Sequence, residues 1–373
     1  MEYTATDHAL MAKALALARL GLYTTSPNPR VGCVIALGAQ IIALGAHHQA
    51  GGPHAEIHAL QQAGSQAQGA TAYVTLEPCS HHGRTPPCAD ALIAAGITRV
   101  VVAMQDPNPQ VSGQGITRLR QAGMTVQVGL REAEARALNP GFIQRMEQGR
   151  PWVRLKLAVS LDGRTALANG DSQWITGEAA RHDVQYWRAR ACALLSGSGT
   201  VLADNPRLDM RLSAAQLGIP PEQLRQPLRV ILDSQLRTPP DARLFASPAP
   251  VSLCHSANAD PGRVKVLSEQ AQLAVMPLCS SGGLDLQAVM QHLARQQINE
   301  VHVEAGGVLA GALLRAQLCD ELLLYMAPHL LGSSARPLAD FTLTRMDQRL
   351  SLQWQDLRLV GQDLRLIARP VYA

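Results

Sequence analysis

The chain has 373 residues, 47 % of them hydrophobic and 17 % charged, with a formal net charge of +4. Its length suggests two domains at the usual ~100–200 residues each, and its composition excludes a disordered or fibrous chain. The Lys and Arg excess is scattered, with no basic block suited to nucleic acid, so anionic small molecules are the expected partners. Met1–His8 carries Glu2 and Asp7 and lacks a basic-then-apolar run, which argues against a secretory or transit peptide. No stretch approaches the ~18 consecutive apolar residues of a membrane span. Seven scattered cysteines fit a reducing compartment, and the cytoplasm is the expected location.

In chain order, Thr6 or Asp7 caps a helix over His8–Leu20 that stops at Gly21. Val31–Ala36 and Gln40–Gly45 form a strand pair about Gly38, followed by a helix over 55–62. Ala70–Leu76 and Arg99–Met104 are bounded apolar runs of the kind buried strands make, with Ala89–Ala95 helical between them. One helix is expected over Glu132–Glu147, and Gln148-Gly149-Arg150-Pro151 breaks it. Beyond this boundary come a strand over Trp152–Val159, a helix over Glu178–Arg190, and strands at Ala191–Leu195, Leu228–Leu232 and Val251–Leu253. A helix over Leu286–Gln296, the strand Glu300–Glu304, a helix from Val308, and strands at Glu321–Met326, Leu350–Leu357 and Asp363–Arg369 complete the chain. Alternating strands and helices indicate the α/β class, with no internal repeat.

The strongest local signal is Pro53-His54-Ala55-Glu56, followed by Glu77-Pro78-Cys79 and then Cys88. One imidazole and two thiolates give three zinc ligands and leave a fourth tetrahedral position open, as catalytic sites do. A zinc ion lowers the pKa of a bound water toward ~7. Glu56, two residues after His54, can then carry a proton from water to a leaving amine without itself ligating. This His-x-Glu…Pro-Cys…Cys pattern is that of zinc-dependent hydrolytic deaminases, although their two cysteines usually stand two residues apart. Here Ser80–Pro87 intervene, and Cys88 opens a helical run whose dipole favours a thiolate. The alternatives are a closed knot with His81 or His82 as fourth ligand, or no metal.

The long insertion adds to the motif. Glu77-Pro78-Cys79-Ser80-His81-His82-Gly83-Arg84-Thr85-Pro86-Pro87-Cys88, with Asp106-Pro107-Asn108-Pro109-Gln110-Val111-Ser112-Gly113-Gln114-Gly115, closely resembles the bifunctional deaminase/reductase family of riboflavin biosynthesis. The resemblance implies a cytidine-deaminase-like three-layer α/β domain over residues 1–148 and a dihydrofolate-reductase-like α/β domain over 149–373. The first would deaminate a diaminohydroxy-phosphoribosylaminopyrimidine. The second would reduce the ribosyl group to ribityl with NADPH. The family pattern makes His54, Cys79 and Cys88 the ligands of one zinc per chain and Glu56 the proton-transfer residue. Asn28, His47, Asp106 and Asn108 would line the substrate pocket, though Asn and Asp beside Pro also simply initiate turns. Gln114 stands where the family commonly has Lys or Arg, leaving Arg84 or Arg30 to meet the substrate phosphate.

In the second half no G-x-G-x-x-G follows a strand, so a Rossmann site is not indicated. Glu304-Ala305-Gly306-Gly307 does end a strand and open a helix, a junction at which backbone N–H groups can approach a phosphate, with glycine at 307 permitting close contact. Lys156–Arg164, Gly170–Thr176 and Gly199–Leu208 resemble the same family's reductase domain. That resemblance assigns Ala158, Trp174, Thr200, Asp204 and Ser234 to NADPH, with Gly306, Gly307, Val308, Leu309, Ala310, Gly311 and Ala312. It assigns Ser172, Arg188, Leu208, Arg211 and Glu304 to substrate. Arg188 and Arg211 are suited to clamping a phosphate, although Arg residues more often sit solvated at the surface and Trp174 could equally be core. A homo-oligomer, dimer or tetramer, is expected. The rival readings are a nucleic-acid-editing deaminase, which needs a basic track and stacking aromatics that this chain lacks, and a non-catalytic nucleotide sensor, which has no need of Glu56 beside an open metal position.

Overall fold

The computed structural model describes residues 2–80 and 87–372, which form two compact units, Met1–Gly149 and Arg150–Ala373. The N-terminal unit runs α1 (Ala5–Ala18), β1 (Gly32–Leu37), β2 (Gln40–Ala46), α2 (Ala55–Ala63), β3 (Thr71–Val74), α3 (Cys88–Ala94), β4 (Arg99–Val102), α4 (Gln114–Gln121), β5 (Thr125–Val128), α5 (Glu132–Leu138) and α6 (Pro140–Gln148). Its sheet has the order β2-β1-β3-β4-β5; β1 is antiparallel to both neighbours, and β3, β4 and β5 are parallel. Successive strand residues face opposite ways. Cys33, Ile35, Ala72, Val74, Val100 and Val102 therefore pack with α2 and α3, while Val34, Tyr73 and Val101 pack with α1, α5 and α6. The result is helix, sheet, helix.

Two local expectations change. The first helix starts earlier than His8, at Ala5, because Thr4 and Asp7 form a reciprocal capping box. The helix expected over Glu132–Glu147 is two helices broken at Asn139. Pro140 has no N–H to continue the ladder. The Asn139 amide instead bonds both backbone groups of Arg30, accepting from its N–H at 2.8 Å and donating to its carbonyl at 2.9 Å.

The C-terminal unit comprises β6 (Trp152–Ser160), β7 (Arg164–Ala166), α7 (Glu178–Arg190), β8 (Ala193–Gly197), α8 (Ser198–Asp204), α9 (Ala214–Leu217), β9 (Leu228–Leu232), β10 (Val251–His255), α10 (Pro261–Ser268), β11 (Gln272–Val275), α11 (Leu286–Arg295), β12 (Glu300–Glu304), α12 (Gly307–Arg315), β13 (Glu321–Ala327), β14 (Arg336–Pro337), β15 (Ser351–Val360) and β16 (Asp363–Val371). The main sheet has the order β11-β10-β9-β8-β12-β6-β13-β16-β15. It is parallel from β11 to β13 and closes with two antiparallel strands. Val153, Leu155, Leu157 and Val159 of β6 anchor its largest core against α11 and α12. The opposite face of β6 and β12 is charged. Fully buried Arg154 lies between Glu300 and Glu321, with its guanidinium 4.6 Å from the centre of the Trp187 ring. Among the described residues, no helix is long and apolar enough to cross a membrane.

Candidate active sites

In the N-terminal unit, the β2–α2 junction delivers His54 as the N-cap of α2 and Glu56 in its first turn. A Cβ at Gly45 would stand 2.0 Å from the Ala55 carbonyl, so only glycine lets the start of α2 lie this close to β2. Cys79 follows β3, and Cys88 is the first residue of α3. The Cys88 N–H donates to Cys79 Sγ at 3.3 Å, and the Ala89 N–H to the Cys79 carbonyl at 3.1 Å. His54 Nδ1 is 3.2 Å from Cys88 Sγ and 3.6 Å from Cys79 Sγ. The three ligand atoms all lie within 4.8 Å of one another.

The electrostatics suit a cation. Hydrogen bonds from Cys88 and His54 hold the Cys79 thiol below its ordinary range, toward the thiolate. Burial pushes the Glu56 carboxyl up to about 7, the range in which a group both takes and gives protons. His47 lies beside His54, with ring centres 5.4 Å apart. Burial lowers its pKa, so it is neutral. With Nδ1 bonded to the Pro53 carbonyl at 2.9 Å, Nε2 is the acceptor for the Asn28 amide at 3.2 Å. The structure thus gathers Asn28, His47, His54, Glu56, Cys79 and Cys88.

Asp106 and Asn108 lie on the loop after β4, where the Asp106 carboxylate accepts the Asn108 N–H at 2.8 Å. Arg30 is buried and turns its guanidinium to the Leu138 carbonyl. Arg84, like His81 and His82, lies outside the described residues. Glu77, passed over in the sequence as a mere part of the motif, is buried and accepts four backbone N–H groups from residues 106–116. No local signal could reveal this, because its partners lie 29 to 39 residues downstream.

In the C-terminal unit the named residues cluster where parallel strands end. Ser234 follows β9, Thr200 and Asp204 lie on the helix after β8, Glu304 ends β12 and Gly306 caps the helix after it, and Ala158 lies near the end of β6. These four strands are neighbours, and ligands of open α/β sheets bind at such carboxyl ends. Residues 198–204, which the sequence leaves without an element, form α8. A Cβ at Gly306 would meet nothing within 4 Å, which leaves an open cradle at the N-terminus of α12. Val308 is 72 % exposed, Leu309 and Ala312 are half-buried, Ala310 is wholly buried, and a Cβ at Gly311 would stand 2.2 Å from the Asp340 carbonyl. A ligand can therefore reach Gly306 and Val308 more readily than the later residues of this turn.

Arg188 donates from Nε and Nη2 to the two Glu304 oxygens at 2.6 and 2.8 Å, and from Nη1 to the Asp209 carbonyl at 2.8 Å. Burial would raise the Glu304 pKa, but Arg188 outweighs it and holds the carboxyl well below its ordinary range. Arg188 and Arg211 are accordingly unlike: the Arg211 side chain is 64 % exposed, 3.8 Å from Asp209. Leu208 is buried with φ +50°. Ser172 shares a loop with Trp174, an exposed residue whose ring carries the Arg181 guanidinium 4.5 Å from its centre.

Comparison with known proteins agrees with both units. Residues 4–104 match the zinc-binding region of cytidine and deoxycytidylate deaminases, and residues 151–366 match the RibD C-terminal domain. The riboflavin biosynthesis protein RibD of Escherichia coli K12 is 53 % identical over 336 residues, covering 89 % of this chain and 90 % of that protein. A solved structure of Acinetobacter baumannii RibD superposes with a TM-score of 0.91 at 46 % identity, covering 98 % of this chain and 99 % of that one. A diaminohydroxyphosphoribosylaminopyrimidine deaminase/5-amino-6-(5-phosphoribosylamino)uracil reductase from Thermotoga maritima gives 0.84 at 34 % identity, with the same coverage.

Proposed function

The chain belongs to the RibD family of riboflavin biosynthesis proteins, and from that membership we propose how its two units divide a deamination and a reduction. It is a bifunctional deaminase and reductase of riboflavin biosynthesis, with a cytidine-deaminase domain followed by a dihydrofolate-reductase-like domain. The Met1–Gly149 unit acts first, on diaminohydroxyphosphoribosylaminopyrimidine. The Arg150–Ala373 unit then reduces 5-amino-6-(5-phosphoribosylamino)uracil.

The observation that carries the first assignment is the close set of His54, Cys79 and Cys88 ligand atoms with buried Glu56 beside it. Two sulfurs and one nitrogen fit zinc and leave one tetrahedral position for a reactant. Zinc bound there supplies Lewis acidity, which makes a water acidic enough to attack at neutral pH. Glu56 takes up the two protons of the attacking water in turn and delivers one to the adjacent ring nitrogen and one to the ring amine, which leaves as ammonia while the ring carbon becomes a carbonyl. Asn28 and His47 hold the adjoining wall of the site.

In the second unit the cradle at Gly306, with Thr200 and Ser234 at the ends of the next two strands in the sheet, fits the phosphates of NADPH. NADPH supplies the hydride. Glu304, fixed by Arg188, accepts from the hydroxyls of the sugar and the exposed Arg211 meets its phosphate, so that catalysis rests largely on positioning. Cytoplasmic location accords with the free cysteines. Self-association is supported by β15, whose outer edge is unpaired among the described residues and whose Trp354, Leu357 and Leu359 are exposed.

The test is to incubate zinc-loaded protein with the diaminohydroxy-pyrimidine ribotide, with and without NADPH. Ammonia release should need no NADPH, and NADPH oxidation should follow it. Absence of ammonia release from folded, zinc-loaded protein would refute the deaminase assignment.

A further inference from the structure

Glu77 joins two segments that meet beside the metal ligands. Its carboxylate is buried, with 4 % of the residue exposed. Oε2 accepts the N–H groups of Asp106 and Gly113 at 3.1 and 2.9 Å, and Oε1 those of Gly115 and Ile116 at 2.9 and 3.1 Å. Its own N–H donates to the Met104 carbonyl at 3.0 Å, which continues the β3–β4 pairing past both strand ends. A Cβ on Gly115 would stand 1.9 Å from the Pro78 carbonyl oxygen, so the start of α4 rests directly on the residue before Cys79.

Above this junction lies an open cavity of about 490 Å³. Ser80, next to Cys79, contributes to its lining, and Ser112, Gly113, Gln114 and Thr117 do so from the loop and α4. A charge-assisted hydrogen bond to a backbone N–H is short and about twice as strong as a neutral one. Four of them on one carboxylate hold the loop and the metal-ligand segment at a set separation.

We propose that Glu77 is a positioning residue for deamination: it fixes residues 106–116, which carry Asp106 and Asn108, against Pro78 and Cys79 and so sets where that loop stands relative to the metal ligands. The inference rests on the deaminase reading above. Glu77 touches neither the metal ligands' donor atoms nor substrate; it acts through the loop.

Glu77→Gln tests this in the full-length protein, because it keeps the volume but turns an NH₂ group toward two N–H donors. The expected result is one zinc per chain and an unchanged rate of NADPH oxidation on the deaminated substrate. KM for ammonia release should rise at least tenfold while kcat stays within about threefold. An unchanged KM in the zinc-loaded variant would overturn the proposal, as would loss of zinc in parallel with activity, which would make Glu77 a support of the metal site alone. Glu77→Asp, which keeps the charge but draws it back from the loop by one methylene, decides the matter should Glu77→Gln fail to fold: a KM rise supports the proposal and none overturns it. Wild-type protein that releases no ammonia would instead refute the deaminase reading itself.

Discussion

A Cβ on Gly307 would stand 2.8 Å from the carbonyl oxygen of Pro337, so this glycine is required by the protein's own packing. The Asp340 N–H, which donates to the Gly307 carbonyl at 2.9 Å, belongs to the same contact. Gly306 differs: its φ of −75° and ψ of 175° suit any residue, and the space where its side chain would be is open. Gly306→Val should therefore fold normally and raise the NADPH dissociation constant at least tenfold, a loss of ~1.4 kcal/mol. Fluorescence titration measures it, with ammonia release as the unaffected control. Unchanged affinity would remove α12 from the cofactor site.

Glu56→Gln should retain zinc and bind the pyrimidine ribotide while ammonia release falls by about three orders of magnitude or more, since the amide cannot accept the proton. Single-turnover assays at saturating substrate read the chemical step directly. A rate near wild type would assign proton transfer to another group.

Cys79→Ser and Cys88→Ser should each lower zinc content well below one per chain by elemental analysis, because a serine hydroxyl stays protonated where a thiolate would ligate. Chelation of the wild-type protein should abolish ammonia release and leave NADPH oxidation intact. Full zinc content in both variants would reject the ligand set.

Asn139→Ala should destabilise the N-terminal unit by about 2 kcal/mol, since it leaves the buried N–H and carbonyl of Arg30 without the partners that now satisfy them. Urea unfolding followed on the separate transition of that unit gives the value. A change below about 0.5 kcal/mol would mean that other groups take over both bonds.

Asp7 accepts hydrogen bonds from Arg99 and Tyr73, both at 2.7 Å, and Arg99 chiefly holds its carboxyl well below the ordinary carboxylate range. A depressed folded-state pKa gives stability that is present above the unfolded value of about 3.9 and lost as pH falls toward the folded one. The stability difference between wild type and Asp7→Asn should therefore be largest near neutrality and shrink below about pH 4. A difference independent of pH would show that Asp7 contributes only as a helix cap.

What the sequence reveals is what is local. His54 and Glu56 are two residues apart on one helix start, and β1 and β3 are visible as bounded apolar runs buried on both faces. Asn139 looked like any polar residue inside a periodic helix, because its partner, Arg30, is 109 residues away. The segment 114–128 escaped assignment because α4 has few apolar residues and β5 has only four residues, partly buried or exposed. Gly307 illustrates the opposite error: the glycine was legible, but its reason, the Pro337 carbonyl, was not.

The strand order of the C-terminal unit bears on how the molecule is made. β12 is inserted between β6 and β8, and its Glu300 contacts Arg154 across 146 residues of sequence. Long-range parallel pairing closes large loops before it gains contacts, so sheets of this topology form slowly. Until Glu300–Glu304 arrives, β6 and β8 each present an edge of unpaired backbone N–H and C=O groups, and the strand ends that gather Ala158, Thr200 and Glu304 do not yet exist as a surface. A nascent chain cut short before residue 300 would thus carry a completed N-terminal sheet joined to an unfinished, adhesive one, which makes aggregation rather than a half-active enzyme the consequence of premature termination.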